Sequence, residues 1–366
     1  MIELPPSALD QLPTPCLVVD AGAASRNIQR CAAFFSGQRA ALRPHFKAHK
    51  CTELMRQQLD AGNCAGVACQ TSWEALVLAR SGFTDILIAN QVVDQAALDE
   101  LAEAAARAQL TVVVDHEAQV ELLARTADRH RVSIGVLIEL DVGAGRCGLP
   151  FGDTGLVPLA EQIARHDSLG FGGLQAYEGH AVHRDSREVR ATLVRQAALH
   201  IEHEQARLAA AGFGCPVVSG GGTGTYDLAA QAGALTEVQA GSYVLMDLAY
   251  RREGLDFEHA LTVLATVVSA NHSNFVTVDA GFKAFATDRG YGPEAVDLPG
   301  TKYRWGGDEF GYIDLPDAAL KLGDRLEFFP PHCDPTVNLY DRIYVCRGER
   351  VEAVWPLKRA SIQEEL

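Results

Sequence analysis

Short apolar runs separated by amphipathic stretches recur in regular order between residues 41 and 240, and few folds satisfy that pattern. The runs are 41–46, 66–70, 85–89, 110–115, 133–140, 172–177, 216–219 and 236–240. Between them lie helical patterns such as 94–109, with Asp94 placed to cap it, 116–130 and 187–211. Val112-Val113-Val114 and the run from Ile134 to Ile138 are apolar on successive residues, which suits strands buried on both faces. Eight β/α units in about 210 residues point to a (β/α)8 TIM-like barrel rather than an open doubly wound sheet.

The character changes after Met246. Helical periodicity gives way to β-rich runs at 260–269, 275–279, 325–329, 342–346 and 351–355, punctuated by Pro, Gly and Asp. This predicts a second, all-β domain at the carboxyl end. The run from Thr14 to Asp20 is also β-like and precedes the first barrel strand by a whole helix, so it is expected to pair with that sheet. The expected division is a barrel over 21–250 and a β-rich domain made of 1–20 and 251–366. A length of 366 residues accommodates both, since such barrels take roughly 250.

A net charge of −15 argues against a nucleic-acid or anionic-membrane surface while leaving room for a local basic pocket. No apolar run reaches a membrane span, and Met1-Ile2-Glu3-Leu4-Pro5-Pro6 does not read as a signal peptide. The nine cysteines are scattered without a C-x-x-C pair, as expected of reduced thiols in a cytoplasmic protein.

Barrel enzymes present their chemistry at the carboxyl ends of the strands. The first run ends in Arg43-Pro44-His45-Phe46-Lys47-Ala48-His49-Lys50, which puts Lys47 there. A lysine amine attacks a carbonyl once burial or cationic neighbours make it nucleophilic, and Arg43, His45, His49 and Lys50 are candidates for such neighbours. The seventh run leads into Ser219-Gly220-Gly221-Gly222-Thr223-Gly224-Thr225-Tyr226 and the eighth into Ala240-Gly241-Ser242-Tyr243. Glycines and hydroxyls at two successive strand ends suit a phosphate. Arg146 sits among glycines after the fifth run, Gln70 ends the second, and Tyr177 ends the sixth with His180 and His183 beyond it. A lysine, an arginine and a phosphate cradle around one mouth fit a phosphorylated aldehyde, for which pyridoxal 5′-phosphate is the candidate.

Near the carboxyl end, His332 and Asp334 share a face if Pro330-Pro331-His332-Cys333-Asp334 is extended. Imidazole plus carboxylate suits a divalent metal with hydrated positions, magnesium or manganese rather than a closed zinc site. His116, His130, His166, His200, His203, His259 and His272 show no partner pattern.

Taken in order, these segments resemble the fold-type III pyridoxal-phosphate enzymes with an alanine racemase N-terminal-type barrel. The branch is that of D-threonine aldolases, 3-hydroxy-D-aspartate aldolases and D-serine dehydratases. The resemblance covers Thr14–Leu17, the Lys47 segment, Gly66–Gln70, Glu139–Gly148, Leu174–His183, Val218–Tyr226, Val238–Asp247, Val278–Lys283 and His332–Asn338. It implies that Lys47 holds the cofactor as an imine, with Arg146 near its phenolic oxygen and Gln70 and Tyr177 lining it. It also implies phosphate contacts from the Ser219 loop (Gly221, Gly222, Thr223) and from Gly241, Ser242 and Tyr243, and a metal on His332 and Asp334.

Asp334, where the dehydratases typically carry cysteine, and the form of the phosphate loop favour the aldolase side. The expected reaction is retro-aldol cleavage of a D-3-hydroxy-α-amino acid to glycine and an aldehyde. His183 acts as base, with His180 as second candidate. Dehydration to a keto acid and ammonia, racemisation, and non-catalytic cofactor carriage are the alternatives. The resemblance further implies a homodimer with its active site near the interface. One departure is Asp308-Glu309-Phe310-Gly311, where relatives often have histidine in place of Phe310.

Overall fold

The computed structural model describes residues 8–184, 186–314 and 320–358. They form two compact units: residues 30–47 and 54–241 in one, residues 8–29, 48–53 and 242–358 in the other. The expected boundaries were 20/21 and 250/251. The observed ones fall at 29/30, within the first helix Ala21–Ser36, and at 241/242, and the segment 48–53 joins the β-rich unit.

The larger unit is a ring of eight parallel strands. In chain order they are β2 (Ala41–Leu42), β3 (Val67–Cys69), β4 (Asp85–Ile88), β5 (Gln109–Val114), β6 (Ile134–Glu139), β7 (Leu169–Ala176), β8 (Val217–Gly220) and β9 (Glu237–Val238). Each pairs with the next in sequence from β3 to β9, and β9 returns to β2. The last gap, β2 to β3, is joined by single bridges at Leu42–Cys64 and His45–Ala68. This is the eight-stranded barrel architecture expected from the alternating runs. The central strands are buried on both faces, with Val112, Val113 and Val114 fully inaccessible. Helices lie where the periodicity put them. Asp94 caps Gln95–Ala105 by accepting the amides of Ala96 and Ala97, and the long helix Arg187–Ala210 ends one residue short of expectation. His116 has a local role that the sequence did not reveal, since its Nδ1 accepts the Ala118 amide and caps Glu117–His130.

β2 has two residues where six were expected. Pro44 offers no amide to a ladder, and the chain turns at Phe46–Ala48 into a 3-10 turn that carries Lys47. A buried ion triad reinforces the short strand. Arg43 Nε and Nη2 donate to the two oxygens of Glu237 at 2.6 and 2.9 Å, and Nη1 donates to Asp85 at 2.7 Å. Arg43, one of the cations near Lys47 in the sequence, therefore secures the ring, with its guanidinium committed to Glu237 and Asp85.

In the smaller unit β1 (Cys16–Asp20) lies between β10 (Leu261–Ser269), antiparallel, and β16 (Arg342–Arg347), parallel. The expected pairing of the early run with the carboxyl-terminal sheet is thus observed. β17 (Arg350–Pro356) pairs with β16, and β15 (Arg325–Phe329) pairs with β10. A register shift between Val267 and Ser269 accompanies the pairing of β10 with β11 (Phe275–Val278). Three strands went unread: β12 (Glu294–Ala295), β13 (Lys302–Trp305) and β14 (Gly311–Asp314). They are short, at two to four residues, and β13 and β14 are tied across their pairing by Arg304 and Asp314 at 2.7 Å. Among the described residues no helix is long and apolar enough to cross a membrane, and the nine cysteines are free.

Two outcomes follow for stability. Glu237→Ala leaves the Arg43 guanidinium buried beside one remaining carboxylate and is expected to cost about 3–5 kcal/mol in urea denaturation. Asp85→Ala should cost less, because the Asp85 side chain is 38% exposed. His259, in the smaller unit, is half-buried, with both ring nitrogens enclosed and neither hydrogen-bonded among the described residues, and burial, with Arg251 adding, lowers its pKa to about 4. Between pH 6.5 and 4 the unfolded chain takes up a proton there and the folded one does not, so acidification removes stability. Against the parent, His259→Leu should gain roughly 3 kcal/mol between pH 7 and 4, read from denaturation curves at each pH.

Candidate active site

Because all eight strands of the ring run parallel, everything that follows their carboxyl ends emerges at one end of it. That rule gathers Lys47, Gln70, Gln91, Asp115, Glu139, Arg146, Tyr177, His180 and the loop after β8. Lys47 is half-buried. Its amide donates to His45 Nδ1 at 3.4 Å, and its amine has no hydrogen bond or ion pair among the described residues. His49 and Lys50 belong to the other unit, where His49 Nδ1 accepts the Cys51 amide and Lys50 Nζ donates to Asn338. Gln70 turns its side-chain amide to the Ala89 carbonyl at 3.2 Å.

Glu139 ends β6 and is almost wholly buried. Burial pushes its carboxyl up, while the Gln91 hydrogen bond and the Arg146 charge oppose the shift. The Gln91 amide also reaches Asp115, at 3.2 Å, and so bridges two carboxylates. Arg146 lies with Nη2 3.9 Å from Glu139 and its guanidinium carbon 5.3 Å from the centre of the Tyr177 ring. Among the described residues, Asp115, Glu139 and Cys147 form the one group of three ligand-type side chains within 4.8 Å of one another.

The turn after β6 is shaped by Asp141, whose Oδ1 accepts the amides of Gly143 and Gly145 at 2.9 and 3.0 Å. Burial acts against ionisation of Asp141, but these amides and that of Ala144 outweigh it and hold the carboxyl below its usual range. Gly143 has φ +124°, and a Cβ there would stand 2.9 Å from the His180 ring. His180 begins its approach from the short helix Gly179–Val182, and its Nδ1 is buried without a partner among the described residues. Burial lowers its pKa, Arg184 adds to the effect, and Asp141 opposes it. His183 follows the same helix and is exposed.

After β8 the loop is organised by a residue that the sequence did not single out. Glu178, 2% exposed, accepts the Gly221 amide at 3.0 Å and the Thr225 hydroxyl at 2.7 Å. Burial pushes its carboxyl up against the pull of those donors. Ser219, expected on the loop, lies inside the ring instead. Its Oγ accepts from Gln239, which also donates to Gln175, both at 2.7 Å.

In the smaller unit His332 and Asp334 do not share an extended face. His332 is extended, but Cys333–Val337 is a short helix. Pro335 sits in its first turn, where no amide is needed, and Thr336 donates to the His332 carbonyl at 2.7 Å. His332 Nδ1 lies 2.8 Å from Asp288, and Ser242 Oγ donates to Asp334 at 2.9 Å. Fully buried Asp247 accepts the amides of Cys333 and Tyr250, which anchors the segment. Tyr243 is buried with its ring 5.5 Å from Phe257.

Comparison with known proteins matches residues 19–249 to the family described as alanine racemase, N-terminal domain, and residues 260–346 to a putative serine dehydratase domain. The chain belongs to the alanine racemase N-terminal-domain family. Within that family it is 38% identical to a D-threonine aldolase of Arthrobacter sp, over 97% of this chain and 96% of the relative. It is 36% identical to a 3-hydroxy-D-aspartate aldolase of Paracoccus denitrificans (strain Pd 1222), over 97% and 94%. Among solved structures it resembles a D-threonine aldolase from Filomicrobium marinum, with a TM-score of 0.92, 35% identity and 96% of each chain covered. The resemblance to the aldolase branch of fold-type III enzymes is therefore borne out, as is the barrel-plus-sheet architecture.

Within this family member, Lys47, Gln70, Arg146, Tyr177, His180, His183, Gly221, Gly222, Thr223 and Gly241 lie at one end of the ring. Ser242, Tyr243, His332 and Asp334 lie in the other unit. Glu178, Asp141 and Asp247 were missed, although each adjoins a motif. A carboxylate beside an anion-binding loop reads as repulsive until its backbone partners are known. Asp288 had no signal, since it meets His332 across 44 residues of irregular chain.

Gly143 and Gly145 separate strain from crowding. Gly145, at φ +64° with open space around it, should tolerate alanine at about 1 kcal/mol. Gly143→Ala adds collision with His180 and is expected to cost about 1–3 kcal/mol, measured as the shift in urea-unfolding free energy.

Proposed function

We propose that the chain is a pyridoxal-phosphate- and divalent-metal-dependent aldehyde-lyase that cleaves D-3-hydroxy-α-amino acids of the D-threonine type to glycine and an aldehyde. The observation that carries this reading is the Lys47 amine, half-buried and uncommitted among the described residues, at the same ring end as Arg146, Tyr177 and a glycine-rich loop. The names of the relatives supply the reaction class.

The donor set suits the cofactor. Lys47 would hold its aldehyde carbon, Arg146 would serve its phenolic oxygen, and Gln70 and Tyr177 would line it. Thr223, with Gly241, Ser242 and Tyr243, is assigned to the phosphate. Gly221 and Gly222 are assigned to the shape of the loop rather than to direct amide contacts, since Glu178 and Thr225 take those amides, and Ser219 drops out because its hydroxyl serves the ring interior. His332 and Asp334 are assigned to the metal, with Asp288 orienting the imidazole through Nδ1. When bound, the cofactor ring accepts the electron pair left at Cα, and the metal acidifies the substrate hydroxyl. His183 removes the hydroxyl proton. His180, confined by Gly143, is the second candidate for that role. The same reading takes the metal as magnesium or manganese, the assembly as a homodimer and the location as cytoplasmic.

The test is a panel of D- and L-3-hydroxy amino acids with product identification, with and without chelator. Glycine plus aldehyde from D-substrates alone, lost on chelation and restored by magnesium or manganese, is expected. Ammonia plus keto acid would make the protein a dehydratase, and full activity after exhaustive chelation would remove the metal. His183→Ala should lower kcat by about 10²–10⁴ with the cofactor absorbance intact, whereas Lys47→Ala should lose that absorbance.

A further inference from the structure

We propose that Glu178 is a positioning residue. Its side chain fixes the glycine-rich loop in the form that receives a phosphate, and its main chain fixes the turn that carries His180 and His183. The proposal rests on the reading that this loop takes the phosphate of pyridoxal phosphate.

Glu178 follows β7 and is removed from solvent, so its carboxylate needs partners inside the protein. It finds them in the loop. Oε2 accepts the Gly221 amide at 3.0 Å, and Oε1 accepts the Thr225 hydroxyl at 2.7 Å. The Thr225 oxygen in turn accepts the Gly222 amide at 3.3 Å. One carboxylate therefore holds two consecutive loop amides, the first directly and the second through a single hydroxyl. The loop has little other room, because a Cβ on Gly221 would lie 2.8 Å from Val238 and one on Gly220 would lie 2.2 Å from the Ala176 carbonyl oxygen. On its backbone side, the Glu178 carbonyl accepts the Ala181 amide at 2.9 Å and starts the turn Gly179–Val182. Loop and histidine turn are thus built on the same residue.

A free acid beside an anion site would repel the anion. Here the negative charge is matched by loop donors, and the amides it holds are the ones that set the direction of Thr223 and Gly224. Gln at 178 keeps the Gly221 amide on its oxygen only by turning its amide nitrogen to the Thr225 hydroxyl, which then accepts instead of donating and leaves its own proton without the carboxylate. Valine at 225 breaks the tie to Gly222 while leaving the carboxylate in place.

The experiment titrates apoprotein with pyridoxal phosphate and, separately, with pyridoxal, which has the aldehyde but no phosphate. Binding is read from cofactor absorbance. Glu178→Gln should weaken pyridoxal phosphate about tenfold or more and leave pyridoxal within about twofold. Thr225→Val should follow it and Thr225→Ser should restore affinity.

Unchanged affinity for pyridoxal phosphate in both Glu178→Gln and Thr225→Val overturns the proposal. Equal weakening of both probes also overturns it, because that is general damage. If Glu178→Gln does not fold by circular dichroism, the Thr225 pair decides alone. Failure of the wild-type protein to bind either probe overturns the cofactor reading itself, a result distinct from a defect confined to the variants.

Discussion

The barrel unit depends on closure of a parallel ring at a seam that has very little strand in it. β2 contributes two residues, Ala41 and Leu42, Pro44 has no amide with which to continue the ladder, and among the described residues isolated bridges at Leu42–Cys64 and His45–Ala68 join this edge to β3. The guanidinium of Arg43 reinforces what the ladder lacks, gripping Glu237 on β9 with two bonds and Asp85 on β4 with a third. This geometry satisfies the fork of the arginine and both carboxylate oxygens of Glu237, which is the condition under which a buried charge is tolerable. Lys47 leaves the ring four residues later, so its placement depends on that closure.

A second regularity lies in how the loops beyond the strands are shaped. Carboxylates repeatedly capture the backbone amides there. Asp141 takes Gly143 and Gly145, Asp115 takes Gly148, Glu178 takes Gly221, and in the β-rich unit Asp247 takes Cys333 and Tyr250. Loop amides in such positions have no ladder to join, and a nearby acceptor both satisfies them and sets their direction. Glycines recur among the donors because positive φ or close approach excludes a side chain there, as at Gly143 and Gly221. The acidity of the chain is thus partly structural, with negative charge distributed over loop amides rather than presented to a partner.

Much of this was legible in the residues. Strand and helix positions in the ring followed from periodicity because strands buried on both faces leave runs such as Val112–Val114 that little else explains. Asp94 announced its helix through its capping chemistry. The candidates Lys47, Arg146, Tyr177 and the loop at 219–226 could be found because they follow runs of that kind directly. The misreadings share one cause, which is competition between a local pattern and a distant partner. Ser219 looked like a loop donor until Gln239 claimed its oxygen inside the ring. Arg43 looked available to Lys47 until Glu237 and Asp85 claimed its guanidinium. The segment after His332 looked extended until Pro335 and Thr336 formed a first turn of helix. The strands β12 to β14 were hidden because runs of two to four residues are too short to set an alternation that stands out, even where one face is buried, as at Gly311 and Ile313.

The order of the elements, the barrel-plus-sheet class and the family can be read from the residues alone, because periodicity, glycine placement and motif order are local properties written along the chain. Which polar groups are committed and which remain available is set by the folded arrangement. Glu178 with Gly221, His332 with Asp288, and Ser242 with Asp334 join residues 43, 44 and 92 positions apart. Hydrogen bonds at such separations leave no periodic trace. They exist because folding removes these groups from water and obliges each to find whichever partner the topology brings within reach.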